Sequence, residues 1–239
     1  MQETDESSSA EPMISAADKH PVLIELFTSE GCSSCPPADK VLAFLDREPV
    51  VPNAEIIALG LHVDYWDRLG WRDRFSSNEY TRRQEAYARQ FKLDSTYTPQ
   101  MVVDGATELI GSNSGAAVNA VTKSTAAVKG IITIAKADGQ LHINIDSLPQ
   151  HNGANVYLAV AEGKLTSNVS SGENSGSRLE HVAVVRQLNQ IGSIPAGQAS
   201  LTIDQRPPAD PDWKAQNLKY VVFVQNAATL QILAAAQSK

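Results

Sequence analysis

The chain has 239 residues, 42% apolar and 20% charged, which is the composition of a globular protein with one large or two small domains. Its net charge of −7 argues against nucleic acid or an anionic membrane surface as the main partner, because both favour a basic face. Two cysteines are too few for a disulfide scaffold or a four-thiolate zinc site, and no run of 18 apolar residues predicts a membrane span.

Residues 1–20 are small, polar and acidic, so we expect a disordered leader there. This stretch lacks the cationic start and the apolar run of a signal peptide. It is either an acidic leader or the trimmed start of an exported protein.

Residues 22–28 form a short, mostly apolar run that predicts a buried strand. A turn-like stretch then leads to Cys32 and Cys35, and apolar residues recur at helical spacing from Ala38 to Leu45. Because proline is tolerated only in the first turn of a helix, Pro36 and its neighbour predict a helix that begins at or close to the cysteines.

Residues 55–63 predict a second buried strand, and the aromatic and charged stretch 62–75 predicts an insertion in a loop or short helix. Ser76 and Glu79 fit a capping box, so a helix should follow over residues 78–91.

Residues 101–103 and 108–110 flank the turn dipeptide Asp104-Gly105, which predicts a β-hairpin, and a helix of small residues should follow over 116–128. Residues 21–129 therefore have the predicted order β-α-β-α-β-β-α, with a parallel pair of strands first and an antiparallel pair at the end.

From Gly130 to the end, apolar and polar residues alternate between turn signals, so residues 130–239 should form a mostly antiparallel β domain, a small sandwich. Residues 166–177 and 205–211 should be long loops, and the domain boundary should lie near Lys129. Three histidines of this half are expected to be surface or hydrogen-bonded side chains: His142, His151 and His181.

The most specific chemical signal is the pair Cys32-x-x-Cys35 between a strand and a helix. The positive end of the helix dipole stabilises a thiolate there, and a second thiol one turn on can resolve a mixed disulfide. Cys32, exposed at the turn, is the expected attacking thiol, and Cys35 is the expected resolving thiol.

Three other roles compete with redox exchange at this pair. A structural disulfide would close so short a loop that it would stabilise the fold weakly. A zinc site would need two more ligands, such as His62 and an acid, and two inert buried thiols would not need this position. Redox exchange therefore explains the placement best.

One interpretation of the insertion is a lip beside the cysteines, where arginines and aromatic residues, Tyr65 and Trp66 among them, grip a partner peptide. A second interpretation is a metal site made of His62, Asp64 and Asp67. In the third, the aromatic residues pack on the core and the charges pair in solvent.

Thr98 and Pro99 come directly before the strand at Met101. A proline there is either an edge or turn residue or a cis-proline that brings backbone polar groups beside the cysteines.

With these features the chain resembles the thioredoxin/glutaredoxin superfamily, and over its whole length it is similar to the bacterial DUF1223 family of thioredoxin-like proteins. The segments that carry the resemblance are ELFTSEGCSSCPPAD at 25–39, HVDYWDRLGW at 62–71, YTPQMVVDG at 97–105 and HVAVVRQL at 181–188. The resemblance implies a thioredoxin-like N-terminal domain, a redox pair at Cys32 and Cys35, a cis-proline at Pro99 and export to the periplasm or outside the cell.

The chain departs from that superfamily in three places. Leu26 stands where thioredoxins carry a buried carboxylate, and Glu25 points to the other face of the strand, so the proton-transferring acid is unassigned. The dipeptide between the cysteines is Ser-Ser, which leaves the redox potential open. Residues 111–114 could bind glutathione at a helix N-terminus, but the acidic residue that many glutaredoxins place there is missing.

We therefore expect a thiol–disulfide oxidoreductase that exchanges disulfides with a protein or small-molecule thiol, with Cys32 and Cys35 as catalytic residues. Thr98, Pro99, Tyr65 and Trp66 are the expected substrate-binding residues, and no cofactor or resident metal is assigned. The alternative is a non-catalytic binding module in which the pair is a structural disulfide or a copper or zinc clip.

Overall fold

The computed structural model describes residues 19–238, which contain 13 strands and three α-helices. The helices are α1 Pro36–Arg47, α2 Asn78–Phe91 and α3 Ser114–Ser124. The strands are β1 His20–Thr28, β2 Ala54–His62, β3 Gln100–Val103, β4 Thr107–Ile110, β5 Ile131–Ala137, β6 Gln140–Asp146, β7 Ala154–Glu162, β8 Leu165–Asn168, β9 Arg178–His181, β10 Val184–Ile194, β11 Leu201–Gln205, β12 Leu218–Asn226 and β13 Ile232–Gln237. The predicted leader lies outside the described residues up to position 18.

The first half has the predicted order of elements, β1-α1-β2-α2-β3-β4-α3. β1 pairs in parallel with β2 and antiparallel with β3, which pairs antiparallel with β4. The cap of α2 is Ser77, whose side chain accepts the Glu79 N–H, and not Ser76, whose hydroxyl donates to Asp67. α3 begins earlier than predicted because the side chain of Asn113 caps it.

The boundary predicted near Lys129 does not divide the largest sheet. Strands from both halves share one eight-stranded sheet in the order β13-β12-β7-β10-β2-β1-β3-β4. β10 joins β2 in parallel at Val184 and Gly60, and the Gly60 N–H donates to the Ala183 carbonyl at 2.8 Å. The two halves are therefore continuous through this pair of strands.

A second core lies where a three-stranded antiparallel sheet, β11-β6-β5, packs on the second-half strands of the large sheet. Ile143 and Ile145 of β6 are buried there with Val156 of β7 and Val222 and Val224 of β12. Two layers therefore pack as predicted for residues 130–239. One layer is the three-stranded sheet, and the other consists of second-half strands of the shared eight-stranded sheet.

The segment predicted as the loop 166–177 includes a strand at its start. β8 pairs antiparallel with β9, so only residues 169–177 connect the two strands. Among the described residues, no helix is long and apolar enough to cross a membrane.

The register of the parallel pair positions the candidate site. Thr28 at the end of β1 lies opposite His62 at the end of β2. The cysteine turn follows Thr28 and the insertion follows His62, so both leave the same edge of the sheet and meet there.

Candidate functional site

Cys32 and Cys35 form a disulfide with 5.4 Å between their Cα atoms. Cys35 is the N-cap residue of α1, and prolines occupy the first two positions of the helix, as the sequence predicts. Both cysteines are fully buried, whereas Ser33 and Ser34 between them are exposed. The expectation of an exposed Cys32 is therefore wrong, because segments from elsewhere in the chain cover the turn.

A chain of hydrogen bonds ends on the Cys32 sulfur. The Trp66 indole N–H donates to the Thr98 hydroxyl at 2.8 Å, and that hydroxyl donates to Cys32 Sγ at 3.3 Å. The Ser34 hydroxyl lies 3.4 Å from the same sulfur. Because hydroxyl donors favour the charged form of an acceptor, this arrangement would stabilise a thiolate at Cys32.

The Thr98–Pro99 peptide bond is cis, as the resemblance implies. The Pro99 carbonyl accepts the Gly111 N–H at 2.9 Å, which holds residues 111–113 beside the proline. Gly111 approaches Leu26 and Ala38 so closely that a Cβ would lie 2.7 Å from a Leu26 methyl group and 3.1 Å from the Ala38 Cβ. The start of α3 is therefore packed against the cysteine end of the sheet.

Trp66 and Tyr65, the two predicted lip residues, have different partners. Trp66 reaches Thr98, whereas the Tyr65 hydroxyl donates to Gln84 of α2 at 3.2 Å, and burial raises the pKa of Tyr65. Both side chains are half-buried against the first core.

The three predicted metal ligands of the insertion do not converge. His62 lies 2.6 Å from Asp73, Asp64 accepts from Thr81, and Asp67 accepts from Ser76. Within residues 19–238, no group of three or more His, Cys, Asp or Glu side chains is placed to hold a metal ion.

A buried cluster of histidines and carboxylates lies behind the cysteine turn. His62 contacts Asp73, His181 contacts Glu30 at 3.1 Å, and the two histidine rings are 5.0 Å apart. Asp73 also accepts the Glu30 N–H at 2.8 Å, which ties the two pairs together. Trp71 of the insertion donates to Glu30 at 2.8 Å, so the cluster reaches within two residues of Cys32.

The cluster shifts the pKa values of its members. Burial would raise the pKa of Asp73, but the adjacent His62 outweighs burial and holds that pKa below its usual value. Burial would lower the pKa of His62, and the Asp73 carboxylate raises it above its usual value instead. Burial would also raise the pKa of Glu30, but the hydrogen bond with His181 contributes to holding that pKa below its usual value. Each partner of the His62–Asp73 pair therefore favours the charged form of the other.

Asp39 is a half-buried carboxyl group one helical turn beyond Cys35. The Thr28 hydroxyl donates to it at 3.0 Å, and burial raises its pKa, opposed by His181 and His62. Asp39 is thus a carboxyl group in the first turn of the helix that follows the pair. The resemblance to thioredoxins had left the proton-transferring acid unassigned.

The sequence did not identify His181, Glu30 or Asp73 as site residues. His181 was expected to be a surface or hydrogen-bonded side chain, and it is hydrogen-bonded: β9 brings it to the cysteine turn through its contact with Glu30. The one sequence signal for it was its place in the segment HVAVVRQL, which also carried the family resemblance. The other two histidines fit the expectation: His142 pairs with Asp204 at the surface, and His151 bonds the Gln198 carbonyl.

A family model described as a protein of unknown function, DUF1223, matches residues 23–225. The crystal structure of protein AGR_C_4864 from Agrobacterium tumefaciens is similar over 90% of this chain and 92% of its own, with 26% identity and a TM-score of 0.70. Superoxide reductase from Nanoarchaeum equitans matches 46% of this chain and 90% of its own, at 11% identity and a TM-score of 0.23, too low to support an argument. A search of curated proteins returned no match. The chain belongs to the DUF1223 family.

Proposed function

We propose that the protein is a thiol–disulfide oxidoreductase whose reactive pair is Cys32 and Cys35. The observation that carries the proposal is the hydrogen-bond chain from Trp66 through Thr98 to the Cys32 sulfur. A disulfide with a merely structural role does not need donors aimed at one of its two sulfurs, whereas an attacking or leaving thiolate does.

The reaction runs in two exchanges. The Cys32 thiolate attacks one sulfur of a partner disulfide, a Cys32–partner bond forms, and the other partner sulfur leaves as a thiolate. The Cys35 thiolate then attacks Cys32 Sγ, the Cys32–Cys35 bond forms, and the second partner thiolate leaves. Two electrons pass from the pair to the partner; run in reverse, the disulfide oxidises a partner dithiol.

Asp39 is our choice for the acid that exchanges a proton with Cys35. It lies on α1 four residues beyond Cys35, and its raised pKa favours a carboxyl group that keeps a proton closer to neutral pH. A groove of about 490 Å³ between α1 and β9 is lined by Pro36, Asp39 and Phe44, and it gives this acid access to solvent.

The organisation of the first half supports this chemistry. The element order and the sheet order β2-β1-β3-β4 are those expected of a thioredoxin-like domain, with the pair at the start of α1. In this proposal Thr98 orients the Cys32 sulfur, while Pro99, Tyr65 and Trp66 border the partner's path. Protein thiols and small thiols, glutathione included, are the partner classes.

A second candidate function rests on the complete burial of both cysteines. A disulfide that no partner can reach would be a clip, and the protein would then be a binding module. A copper or zinc clip would need more ligands than the pair supplies, so the disulfide is the form of this candidate that the geometry favours.

The oxidised pair is compatible with an exported protein, because disulfides persist in oxidising compartments. We therefore propose a periplasmic or extracellular site of action.

Covalent trapping tests the proposed exchange. The variant Cys35→Ser leaves Cys32 able to attack but unable to be released, so mixed disulfides with partners should accumulate in cells quenched with acid. The matched variant Cys32→Ser should trap none. Equal absence of adducts in both variants would contradict the oxidoreductase and favour the clip.

A further inference from the structure

The connection between β8 and β9 lies across the cysteine turn. We name residues 169–177 the strap. Its ends are joined by two hydrogen bonds, from the Gly176 N–H to the Val169 carbonyl at 2.8 Å and from the Val169 N–H to the Ser177 carbonyl at 2.9 Å. Gly172 and Gly176 have φ values of 74° and 82°, which glycine adopts without strain. The strap is therefore a compact loop of small and polar residues.

Two neighbouring strap residues bind the backbone on both sides of the Cys32 side chain. The Asn174 amide nitrogen donates to the carbonyls of Glu30 at 2.8 Å and Cys32 at 3.0 Å. The Glu173 carboxylate accepts the Ser33 N–H at 3.0 Å. Asn174 is 9% exposed, so it is inserted at the turn rather than resting on it.

The strap has two further contacts, both with the insertion. The Ser171 hydroxyl donates to the Gly70 carbonyl. Gly172 packs on Trp71, since a Cβ added to Gly172 would lie 3.1 Å from the Trp71 Cβ. Val169 is its one buried apolar side chain among residues 169–177. Because few apolar groups hold it, the strap can open locally at much lower cost than the strands around it.

We infer that the strap masks a binding site for an extended polypeptide, in which Glu173 and Asn174 occupy the places of the partner's backbone groups. An acceptor facing the Ser33 N–H and a donor facing two carbonyls are what the C=O and N–H groups of an extended chain provide. The inference rests on the proposed function, because the partner it identifies is a polypeptide whose cysteine reacts with Cys32.

Masking adds to the contacts that bury Cys32, whose sulfur Thr98 also contacts. Cys32 cannot meet a partner sulfur while its turn is covered, so exchange requires the strap to leave and the partner to take over its three hydrogen bonds. A small thiol has no backbone with which to replace them. Opening the strap should therefore favour polypeptide thiols over small thiols.

The test compares two thiols on the oxidised, full-length protein. One is 2-mercaptoethanol, and the other is a single-cysteine peptide of about ten residues with blocked ends. The variant Asn174→Asp keeps the side-chain size but turns acceptor oxygens toward the two carbonyls. Because net hydrogen bonds are worth about a factor of five to ten each, it should speed the reaction with either thiol about tenfold, and the peptide should react faster than 2-mercaptoethanol in the variant and the wild type alike.

A second strap variant, two control variants and a second measurement complete the test. Glu173→Gln retains an acceptor oxygen and should give a smaller acceleration, whereas Asn189→Ala and Glu180→Gln, exposed residues outside the strap, should change nothing. Amide hydrogen exchange at Ser33 should quicken in Asn174→Asp, with the unfolding temperature of the oxidised protein lowered by only a few degrees.

Equal peptide rates in Asn174→Asp and the wild type would overturn the strap's masking role. Equal rates for the two thiols, compared at equal thiolate concentration, would overturn the polypeptide site. If neither thiol opens the folded wild type or any variant, the proposed oxidoreductase itself fails, and the strap then covers a structural disulfide.

Discussion

The hydroxyl of Thr98 lies 3.3 Å from the sulfur of Cys32, although 66 positions separate the two residues in the chain. The Trp66 indole N–H donates to the Thr98 hydroxyl oxygen, and this directs the hydroxyl proton to the sulfur. A neutral side chain thus does at Cys32 what a neighbouring cation does in other reactive thiols, because both favour the thiolate.

Replacing Thr98 with valine keeps the shape of the side chain and removes this donor. The pKa of the Cys32 thiol should rise in the reduced protein, and its alkylation by iodoacetamide at pH 7 should slow about tenfold. Thr133→Val, on the exposed face of β5, is the matched control and should leave the rate unchanged. An unaltered pH profile of alkylation in Thr98→Val would show that the hydroxyl does not act on the sulfur.

Trp66 should act on Cys32 only through Thr98. Trp66→Phe keeps the aromatic packing and removes the indole N–H, so it should slow alkylation by a smaller factor than Thr98→Val does. In the double variant the two effects should not add, since Thr98 carries both of them. Additive effects in this double-mutant cycle would mean that Trp66 reaches the sulfur by another route.

The His62–Asp73 pair should make folding stability depend on pH. Its partners are buried and 2.6 Å apart, so Asp73→Asn should cost about 3–5 kcal/mol of the free energy of unfolding. Since the folded pKa of His62 is raised above its usual value of 6.5, the wild type should lose stability as the pH rises above 6.5 through that folded value.

The acid side has the opposite sign. The pKa of Asp73 is lowered from 3.8, so its contribution is present above that pH and is lost as the pH falls through the folded value. Urea unfolding from pH 3 to pH 9 measures both limbs. The alkaline decline should be weaker in Asp73→Asn, because His62 then loses the carboxylate that contacts it and keeps only the more distant Asp39 and Glu30. An identical decline in the variant would assign it to another group.

Glu25 should matter for stability and not for redox chemistry. It accepts two hydrogen bonds from Arg83, at 2.5 and 3.0 Å, and one from Tyr87, while the Arg83 guanidinium lies over the ring of Tyr157 from the second half. Arg83→Met should leave the buried Glu25 without its cationic partner and cost about 3–5 kcal/mol of unfolding free energy. The reduction potential of the Cys32–Cys35 pair in Arg83→Met should match that of the wild type. A shifted potential would mean that Glu25 acts on the cysteines.

Local sequence was enough to predict the first half of the fold. The apolar run of β1, the prolines after Cys35 and the Asp104-Gly105 turn each determine structure within a few residues, and all lie in the expected elements. The cis-proline next to the pair came from the family resemblance. Once each of the seven elements was assigned, their arrangement followed because consecutive elements are usually neighbours in space.

Long-range contacts account for what the sequence did not reveal. The junction of β10 with β2 pairs residues that are more than 120 positions apart, and alternation of apolar residues cannot say which sheet a strand joins. The side chains that contact Cys32 include Thr98 on its sulfur and Asn174 on its carbonyl, 66 and 142 positions away, so the cysteine was predicted to be exposed. The contact of His181 with Glu30, 151 positions away in the chain, was missed for the same reason.

The reduction potential of the Cys32–Cys35 pair, measured by equilibration with glutathione buffers, tests the central claim most directly. We predict that the pair equilibrates, with a value between about −120 mV, as for a protein oxidant, and about −270 mV, as for a reductant. A pair that stays oxidised in every glutathione buffer, with a value below about −300 mV, would be a structural disulfide and would contradict the oxidoreductase.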